Sequence, residues 1–352
     1  MAIKPKMTNK TSRVITKIIN KSDIRPPSVF IIVLQYNNSQ GTLRCLESLK
    51  ELDYPNHQVV IVDNASQEAE INNIRQYLKS KGLQGSPLET FESKGRPWII
   101  ENKENLGYAG GNNVGIKYAL ENGADYVFVL NNDTTVEPDA LKKLITAAEA
   151  DSKIGIVGPA IQEEEKRVYF GKISWFKAEL KHVYRKSEIL PLENSRAKSR
   201  GSRVGGISDF LGPKEYVIGA ATLIKKEVLE KIEGFDEIYF LYFEDADFSI
   251  RAQIAGYKLK VVPEAVINHK VSASTKHLGS PLILRYHMRN ALIFNSLNAP
   301  WTIKPFLIFW AGYIVLKNLV KMFIMPSKIA SADAIIEGVL DFYKNRFGKI
   351  NA

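Results

Sequence analysis

Three short stretches of this 352-residue chain hold residue types that can do chemistry. In the first, the apolar run Tyr126-Val127-Phe128-Val129-Leu130 stops abruptly in Asn131-Asn132-Asp133. The Asp133 carboxylate can bind Mg2+ or Mn2+ through oxygen. Magnesium commonly takes only one or two protein carboxylates, with substrate phosphates and water completing its shell. In the second, Glu244, Asp245 and Asp247 crowd the start of a helical pattern, "FEDADFSIRAQIAGY". Negative charge suits a helix N-terminus, and capping alone could explain one acid. Three acids in four positions, flanked by aromatics, exceed that need, and a partly dehydrated carboxylate can act as a general base. In the third, His269 of "INHKVSAST" follows a strand. A neutral imidazole there can bind a metal, and a protonated one can hold a phosphate. No H-E-x-x-H or paired-cysteine spacing accompanies it, which argues against a structural zinc site.

Two further sets join these. Asp63 in "IVDNAS" ends another apolar run. Its carboxylate can accept from a ring N–H or a ribose hydroxyl, although Asp-Asn also suits a turn. "ENLGYAGGNNVG" sets Gly107, Gly110 and Gly111 at the start of a helix, where close backbone approach and free N–H groups can serve an anion. A turn would explain the glycines but not Asn112-Asn113. The spacing is neither G-x-x-x-x-G-K-[ST] nor a G-x-G-x-x-G directly after a first strand, so neither ATPase nor dinucleotide binding is supported.

The elements that must position these residues alternate. Strands are expected at Val29–Leu34, Val59–Val62, Pro97–Ile100 and Tyr126–Leu130. Helices are expected at Thr42–Leu52, Glu68–Lys79 and Ala109–Glu121, and from Pro138 to about Ala150. Apolar runs without alternation, separated by helices, indicate a mostly parallel α/β sheet covered on both faces. In such sheets ligands bind outside the carboxyl ends of the strands. Gln35-Tyr36-Asn37-Asn38, Asp63 to Ser66, Glu101 to Gly111 and Asn131 to Asp133 all follow such ends. One polar ending is a turn; four on one edge make a site. Residues 161–215 are less regular, and "NSRAKSRGSRVGG" reads as a mobile loop. Order is expected again at Tyr216–Ile224, in a helix Lys225–Ile232, a helical stretch Phe243–Ala255 and a strand Leu259–Val262. After Ser280 the chain turns helical.

A net charge of +10 and a pI near 9.3 favour anionic partners such as nucleotide phosphates or an acidic membrane surface. Residues 1–27 carry seven Lys or Arg against Asp23 alone and no secretory apolar core, which describes a basic flexible arm. That arm is either a solvated tail or a weak hold on anionic lipid. The single cysteine, Cys45, lies on an apolar helical face and reads as a core side chain. It permits no intrachain disulfide and fits a reducing, cytoplasmic setting. "PFLIFWAGYIVLKNLVKMFIM" is long enough to span a bilayer, but Lys317, Asn318 and Lys321 gather on one helical face. That favours a helix lying in the membrane interface or against the domain.

In sequence order, "VLQYNN", "VIVDNAS", "NLGYAGGNN", "LNND", "GAATLIKKEVLEKIEGFDE", "EDADFSIRAQIAGY" and "NH" resemble the family 2 glycosyltransferases, in particular their bacterial and archaeal rhamnosyltransferase-like members. The match covers roughly residues 28–295, leaving a C-terminal amphipathic helical region, 296–352. The resemblance implies a GT-A (Rossmann-like) fold with a C-terminal helical extension, a divalent cation, and inverting transfer of a sugar from a nucleotide-diphosphate donor. Residue by residue, it implies that Asp63 contacts the base, that Gln35, Tyr36 and Asn37 line its pocket, and that Asn105, Gly107, Asn112 and Asn113 lie along the nucleotide. Asn131-Asn132-Asp133 matches the D-x-D element, with Asp133 and His269 holding Mg2+ or Mn2+. Glu244-Asp245 matches the catalytic E-D pair, with Asp245 the base and Asp247 the second choice. Gly219 and Ala220 would face donor and acceptor, and Arg285 and Arg289 of "RYHMRN" would touch diphosphate or acceptor. The departure is Asn131, where the family pattern has aspartate. Variants of this kind occur among rhamnosyltransferase-like members, so dTDP-rhamnose is the leading donor, with UDP-sugars open. The basic arm and apolar helix point to a glycan or lipid-linked acceptor at the inner face of the membrane, and no nucleic acid is expected as a partner. Two other readings compete. A sugar-phosphate nucleotidyltransferase would want a glycine- and lysine-rich loop where "QYNNSQG" stands. A non-catalytic membrane partner would not need Asp133, Asp245 and His269 intact.

Overall fold

The computed structural model describes residues 25–82, 98–189, 214–270 and 280–350. The first half alternates as its apolar runs require: β1 (Val29–Gln35), α1 (Ser39–Lys50), β2 (His57–Asp63), α2 (Glu68–Ser80), β3 (Trp98–Glu101), α3 (Gly107–Glu121) and β4 (Tyr126–Asn131). Then follow β5 (Thr134–Val136), α4 (Ala140–Glu149), β6 (Ile154–Glu163), β7 (Lys166–Val168), β8 (Phe170–Ser174), β9 (Glu179–Val183), β10 (Glu215–Tyr216) and β11 (Ala221–Lys225). The remainder is α5 (Lys226–Ile232), α6 (Glu244–Ile254), β12 (Lys258–His269), α7 (Pro281–Asn298), α8 (Lys304–Ile324) and α9 (Ile329–Tyr343). The expected "NSRAKSRGSRVGG" loop and nearly all of the basic arm lie outside the described residues.

The main sheet runs β3-β2-β1-β4-β11-β6-β12-β5, with β7 hairpinned onto β6. Its first four strands are parallel. β11 runs antiparallel to both β4 and β6, and β5 runs antiparallel to β12, so the sheet is mixed beyond β4. Val29 to Val33 have at most 2% of their surface exposed, because α1 and α2 cover one face of the strands and α3 covers the other. Helix α3 approaches closely only because it is glycine-rich. A Cβ on Gly115 would lie 2.4 Å from Ile32 Cγ2 and 3.1 Å from Val62 Cγ2. Cys45 is fully buried, and burial pushes its thiol up to about 12, so it is an inert core side chain.

Two features were not legible in the sequence. Residues 161–215 contain a second, three-stranded sheet, β10-β8-β9. Strand β12 also continues well past Val262 to His269, with a register irregularity between Val262 and Val266 that lets it pair first beside and then beyond Pro159 of β6. Asn318 does not share a solvent face with Lys317 and Lys321: it is buried, and its amide donates to Ile314 O at 2.8 Å.

Candidate active site

The strand ends are level. Gln35 pairs with Asp63, Asp63 with Glu101 and Leu34 with Asn131, so the polar residues after β1, β2, β3 and β4 emerge along one edge. Asp63 is nearly buried. Its Oδ2 accepts from Ser66 N at 3.0 Å, while Oδ1 is buried without a protein partner. Such an acceptor costs free energy unless something else satisfies it. Several neighbours are spent on the scaffold instead. Asn37 Oδ1 accepts from Gln67 N at 2.8 Å. The Gln35 amide, fully buried, sits 2.6 Å from Thr42 Oγ1 and 2.8 Å from the Asn132 amide. Tyr36 is half exposed at the mouth.

The loop into α3 is built the same way. Asn105 Oδ1 accepts from Gly107 N at 2.8 Å and from Asn64 Nδ2 at 2.9 Å. Asn112 is fully buried and donates to Tyr108 O. Asn113 clamps α3 to the turn at Phe235, donating to its carbonyl and accepting from its N–H, both at 2.8 Å. Gly107 has φ +76, and the space where a Cβ would go is filled by Phe240 O at 2.3 Å. The Asn105, Gly107, Asn112 and Asn113 set thus shapes the loop. Asn105 and Asn113 are polar in the service of backbone groups, whereas Asn112 Oδ1 is buried without a protein partner.

Asp245 is the open member of its trio. Asp247 is 2% exposed and saturated, accepting from Arg251 Nε at 2.6 Å, Asn298 Nδ2 at 2.8 Å and the Tyr239 hydroxyl at 3.2 Å. Glu244 is 5% exposed; burial and then the adjacent Asp245 charge hold its carboxyl well above the usual range. Asp245 keeps part of its surface open. Its Oδ2 accepts from Gly219 N at 2.9 Å and its Oδ1 from Ala246 N at 2.8 Å. Burial raises its carboxyl, and these N–H groups and the imidazole of His182 on β9 pull against that rise.

Residues 219–220 bind the parts together. Gly219 O accepts from the Tyr108 hydroxyl at 2.6 Å, and Ala220 O accepts from Asn131 N at 2.9 Å. Burial and then the charges of Glu244, Asp245 and Asp133 drive the Tyr108 phenol well above its usual range. One phenol therefore feels the expected base and the expected metal ligand together. Within Asn131-Asn132-Asp133 the three side chains diverge. Asn132 turns to Gln35 and Thr42, Asn131 Oδ1 is buried without a protein partner, and Asp133 meets His269. The β5–β12 pairing sets Thr134 opposite His269, which brings Asp133 Oδ1 to 3.2 Å from His269 Nε2. The other ring nitrogen, Nδ1, lies 3.3 Å from Glu163 Oε1 at the end of β6. Burial pulls the imidazole down, but the bonds to Asp133 and Glu163 outweigh it and push it up to about 9.

A family model described as glycosyl transferase family 2 matches residues 30–232, more than half of the chain. The chain belongs to this family. It is a glycosyltransferase of the hexosyltransferase class. It is 24% identical over 273 residues to the dTDP-rhamnosyl transferase RfbF of Shigella flexneri, covering 76% of this chain and 79% of that protein. It is 21% identical over 300 residues to an N-acetylglucosaminyl-diphospho-decaprenol L-rhamnosyltransferase of Mycobacterium tuberculosis, covering 78% and 86%. Among solved structures, the mannosyltransferase PcManGT from Pyrobaculum calidifontis, in complex with GDP-Man and Mn2+, superposes with a TM-score of 0.52 at 16% identity, over 92% of this chain and 90% of that one. The fold is thus GT-A.

In this glycosyltransferase both arginines of the "RYHMRN" helix are engaged within the protein. Arg285 makes a two-pronged contact with Asp341, at 2.6 and 2.9 Å. Arg289 is 1% exposed and is tied to Asn290 Oδ1, Arg346 O and Tyr239 O. Asn290, which carried no assignment in the sequence, donates to Tyr239 O and Leu241 O at 2.8 Å and to Tyr242 O at 3.1 Å. Those carbonyls belong to the turn before Glu244, where Phe240, Tyr242 and Phe243 all have positive φ (61, 71 and 76°). Bulky side chains there cost about 1–3 kcal/mol each and persist only when their surroundings hold them. Asn290→Ala removes the side-chain donor to the Leu241 and Tyr242 carbonyls, while Tyr239 O keeps Arg289 and Leu241 N; it should cost about 1–3 kcal/mol of stability. It should also lower kcat by about a hundredfold through displacement of Asp245, with KM nearly unchanged. Denaturant unfolding together with a kcat and KM split tests this; wild-type kcat in a correctly folded variant would remove the bracing role.

Tyr108, Glu163 and His182 also escaped the sequence reading. Glu163 sits 106 positions from His269, and no local pattern links them.

Proposed function

We propose that this glycosyltransferase moves a sugar, L-rhamnose from dTDP-rhamnose in the leading form, onto a saccharide carried by a lipid, with inversion at the anomeric carbon. The reaction would serve cell-surface polysaccharide synthesis at the cytoplasmic face of the membrane. The observation that carries this reading is the Asp245 carboxylate. It is fixed by two N–H groups, open on one side, and joined through Gly219-Ala220 to Asn131 and the Asp133–His269 pair. The names of the rhamnosyl transferase relatives support the donor, and the mycobacterial relative's name supports a diphospho-lipid acceptor.

Asp245 takes the proton of an acceptor hydroxyl as its oxygen attacks the anomeric carbon. The bond to the diphosphate oxygen breaks on the opposite face, and the diphosphate leaves with the bonding electrons. The unpartnered Asp63 Oδ1 accepts the ring N–H of a pyrimidine base. Asn131 Oδ1, also unpartnered, faces the donor. Gln35, Asn37, Asn105, Asn112, Asn113, Arg285 and Arg289 act as positioning residues.

Asp133 and His269 suit a divalent cation. Two neighbouring ligands of one octahedral ion, each about 2.1 Å from it, lie about 3 Å apart. The 3.2 Å between Asp133 Oδ1 and His269 Nε2 fits that spacing. Glu163 on Nδ1 supplies the carboxylate partner that orients a metal-binding imidazole. Among the described residues no group of three His, Cys, Asp or Glu could hold an ion by itself, so Asp133 and His269 would hold the cation together with donor diphosphate and water. When bound, Mg2+ or Mn2+ neutralises charge on the departing diphosphate. Glu163→Gln is expected to weaken Mn2+ binding by about 10- to 100-fold. Titration calorimetry with Mn2+ and a nucleoside diphosphate measures this, and an unchanged affinity would detach Glu163 from the metal.

A thermal-shift panel of dTDP-, UDP- and GDP-sugars, with and without Mn2+, tests the donor. A ligand at a hundred times its Kd adds about 2.7 kcal/mol, a shift of several degrees. The largest shift is expected with dTDP-rhamnose and Mn2+. A shift confined to UDP-sugars moves the donor to that class, and no shift with any sugar nucleotide overturns the proposal.

A further inference from the structure

Helix α8 presents an apolar ridge that nothing among the described residues covers. Phe309 is 76% exposed, Phe323 87% and Leu316 63%, and these residues repeat at helical spacing on the side opposite the buried Leu307, Ala311 and Asn318. The inward stripe packs against α7 and α9 through Leu292 and Val339. A spanning orientation would strip that packing away. The ridge continues off the helix: Trp301 is 81% exposed, and Phe306 meets Phe176 ring to ring at 6.1 Å. Phe176 is itself 60% exposed, on the turn between β8 and β9.

The helix itself carries charge of one sign: Lys304–Ile324 holds Lys304, Lys317 and Lys321 and no Asp or Glu. The 68 residues from Ala265 to Ala332 contain no Asp or Glu and eight Lys or Arg. On α8, Lys317 and Lys321 border the apolar ridge on the Phe306 side, and Lys328 follows its end. A two-fold contact pairing this face of α8 with itself would set lysine near lysine, with no acid on the helix to offset them. An anionic bilayer supplies what both features need, hydrocarbon for the ridge and headgroup phosphates for the lysines.

We infer that α8 lies flat in the surface of an anionic bilayer, with Phe309, Leu316 and Phe323 in the acyl region and Phe176 and Trp301 touching the same plane. Behind Phe176, Trp175 stacks on Phe294 at 5.4 Å, and Phe294 packs on Phe243, the residue before Glu244, at 5.6 Å. The aromatic layer thus runs from the lipid face to the turn that carries Asp245. This placement deepens the reading of a lipid-linked acceptor. The test separates the two, because binding is measured without turnover.

The full chain is floated with vesicles of phosphatidylcholine alone and with vesicles that also contain phosphatidylglycerol. Strong binding is expected only to the second kind. Phe309→Asp with Phe323→Asp should lower partitioning at least about tenfold, since two buried aromatic anchors become charges. Lys317→Gln with Lys321→Gln should lower it about fivefold per lysine, and high salt should mimic that loss. Phe309, Lys317 and Phe323 are exposed and Lys321 is half-buried, so thermal melting should be nearly unchanged. Absence of binding to phosphatidylglycerol vesicles, or equal binding by wild type and the aspartate variant, overturns the proposal. So does a wild-type dimer in solution that the aspartate variant converts to monomer, since that makes the ridge an interface between copies. Transfer to a soluble saccharide acceptor is unaffected by these substitutions if the catalytic reading holds; its absence in wild type would count against the function and not against the surface.

Discussion

Asparagine at position 245 is expected to lower kcat by about a thousandfold while leaving nucleotide binding intact, the scale of loss when a positioned general base is removed. The variant keeps the shape of the side chain, and its Oδ1 can still accept one of the two N–H groups, from Gly219 or Ala246, that hold the carboxylate. What it loses is the capacity to take a proton. The control is Asp247→Asn. Asp247 is saturated by Arg251, Asn298 and Tyr239, so its loss should appear mainly as lower stability. The pH profile adds a sign. The base works deprotonated, and burial raises the Asp245 carboxyl above an ordinary aspartate. Activity should therefore fall with decreasing pH sooner than an exposed aspartate would dictate, and kcat/KM against pH reads that limb. An Asp245→Asn enzyme with wild-type turnover would move the base elsewhere, with Glu244 the next candidate.

The second large effect is expected at Asp133. Asp133→Ala removes the carboxylate of the Asp133–His269 pair and should lower turnover by about a hundredfold or more, in line with several kcal/mol of charge stabilisation by a metal ion. In wild type, EDTA should abolish transfer, and Mg2+ or Mn2+ should restore it. In Asp133→Ala, added metal should restore little. Thermal shift with a nucleoside diphosphate should lose its Mn2+ dependence in this variant, which separates failed metal binding from misfolding. Full turnover of wild type in EDTA would end the metal assignment.

Much of this was written in local sequence. Apolar runs without alternation specified the parallel half of the sheet, because a strand buried on both faces has no polar face to show. Level parallel strands then place their ends on one edge, so Asp63, Asn131 and Asp133 stood out as candidate site residues before any side chain was located. The crowding of Glu244, Asp245 and Asp247 marked a candidate site because charge in an aromatic setting needs a partner or a use.

Tertiary structure decided which members of these sets face outward and what holds them. Asn131, Asn132 and Asp133 are adjacent in sequence, yet one turns to α1, one remains unpartnered and one meets His269. Alternation along a strand says that neighbours diverge but not what each will meet. The Glu163–His269 contact, the Gly219 bridge to Asp245 and the Asn290 brace join residues 26 to 106 positions apart. Such contacts arise from the order in which strands join the sheet and helices pack upon it. A periodic pattern reports the environment of one segment, whereas partner choice depends on which distant segment the fold brings to the same edge.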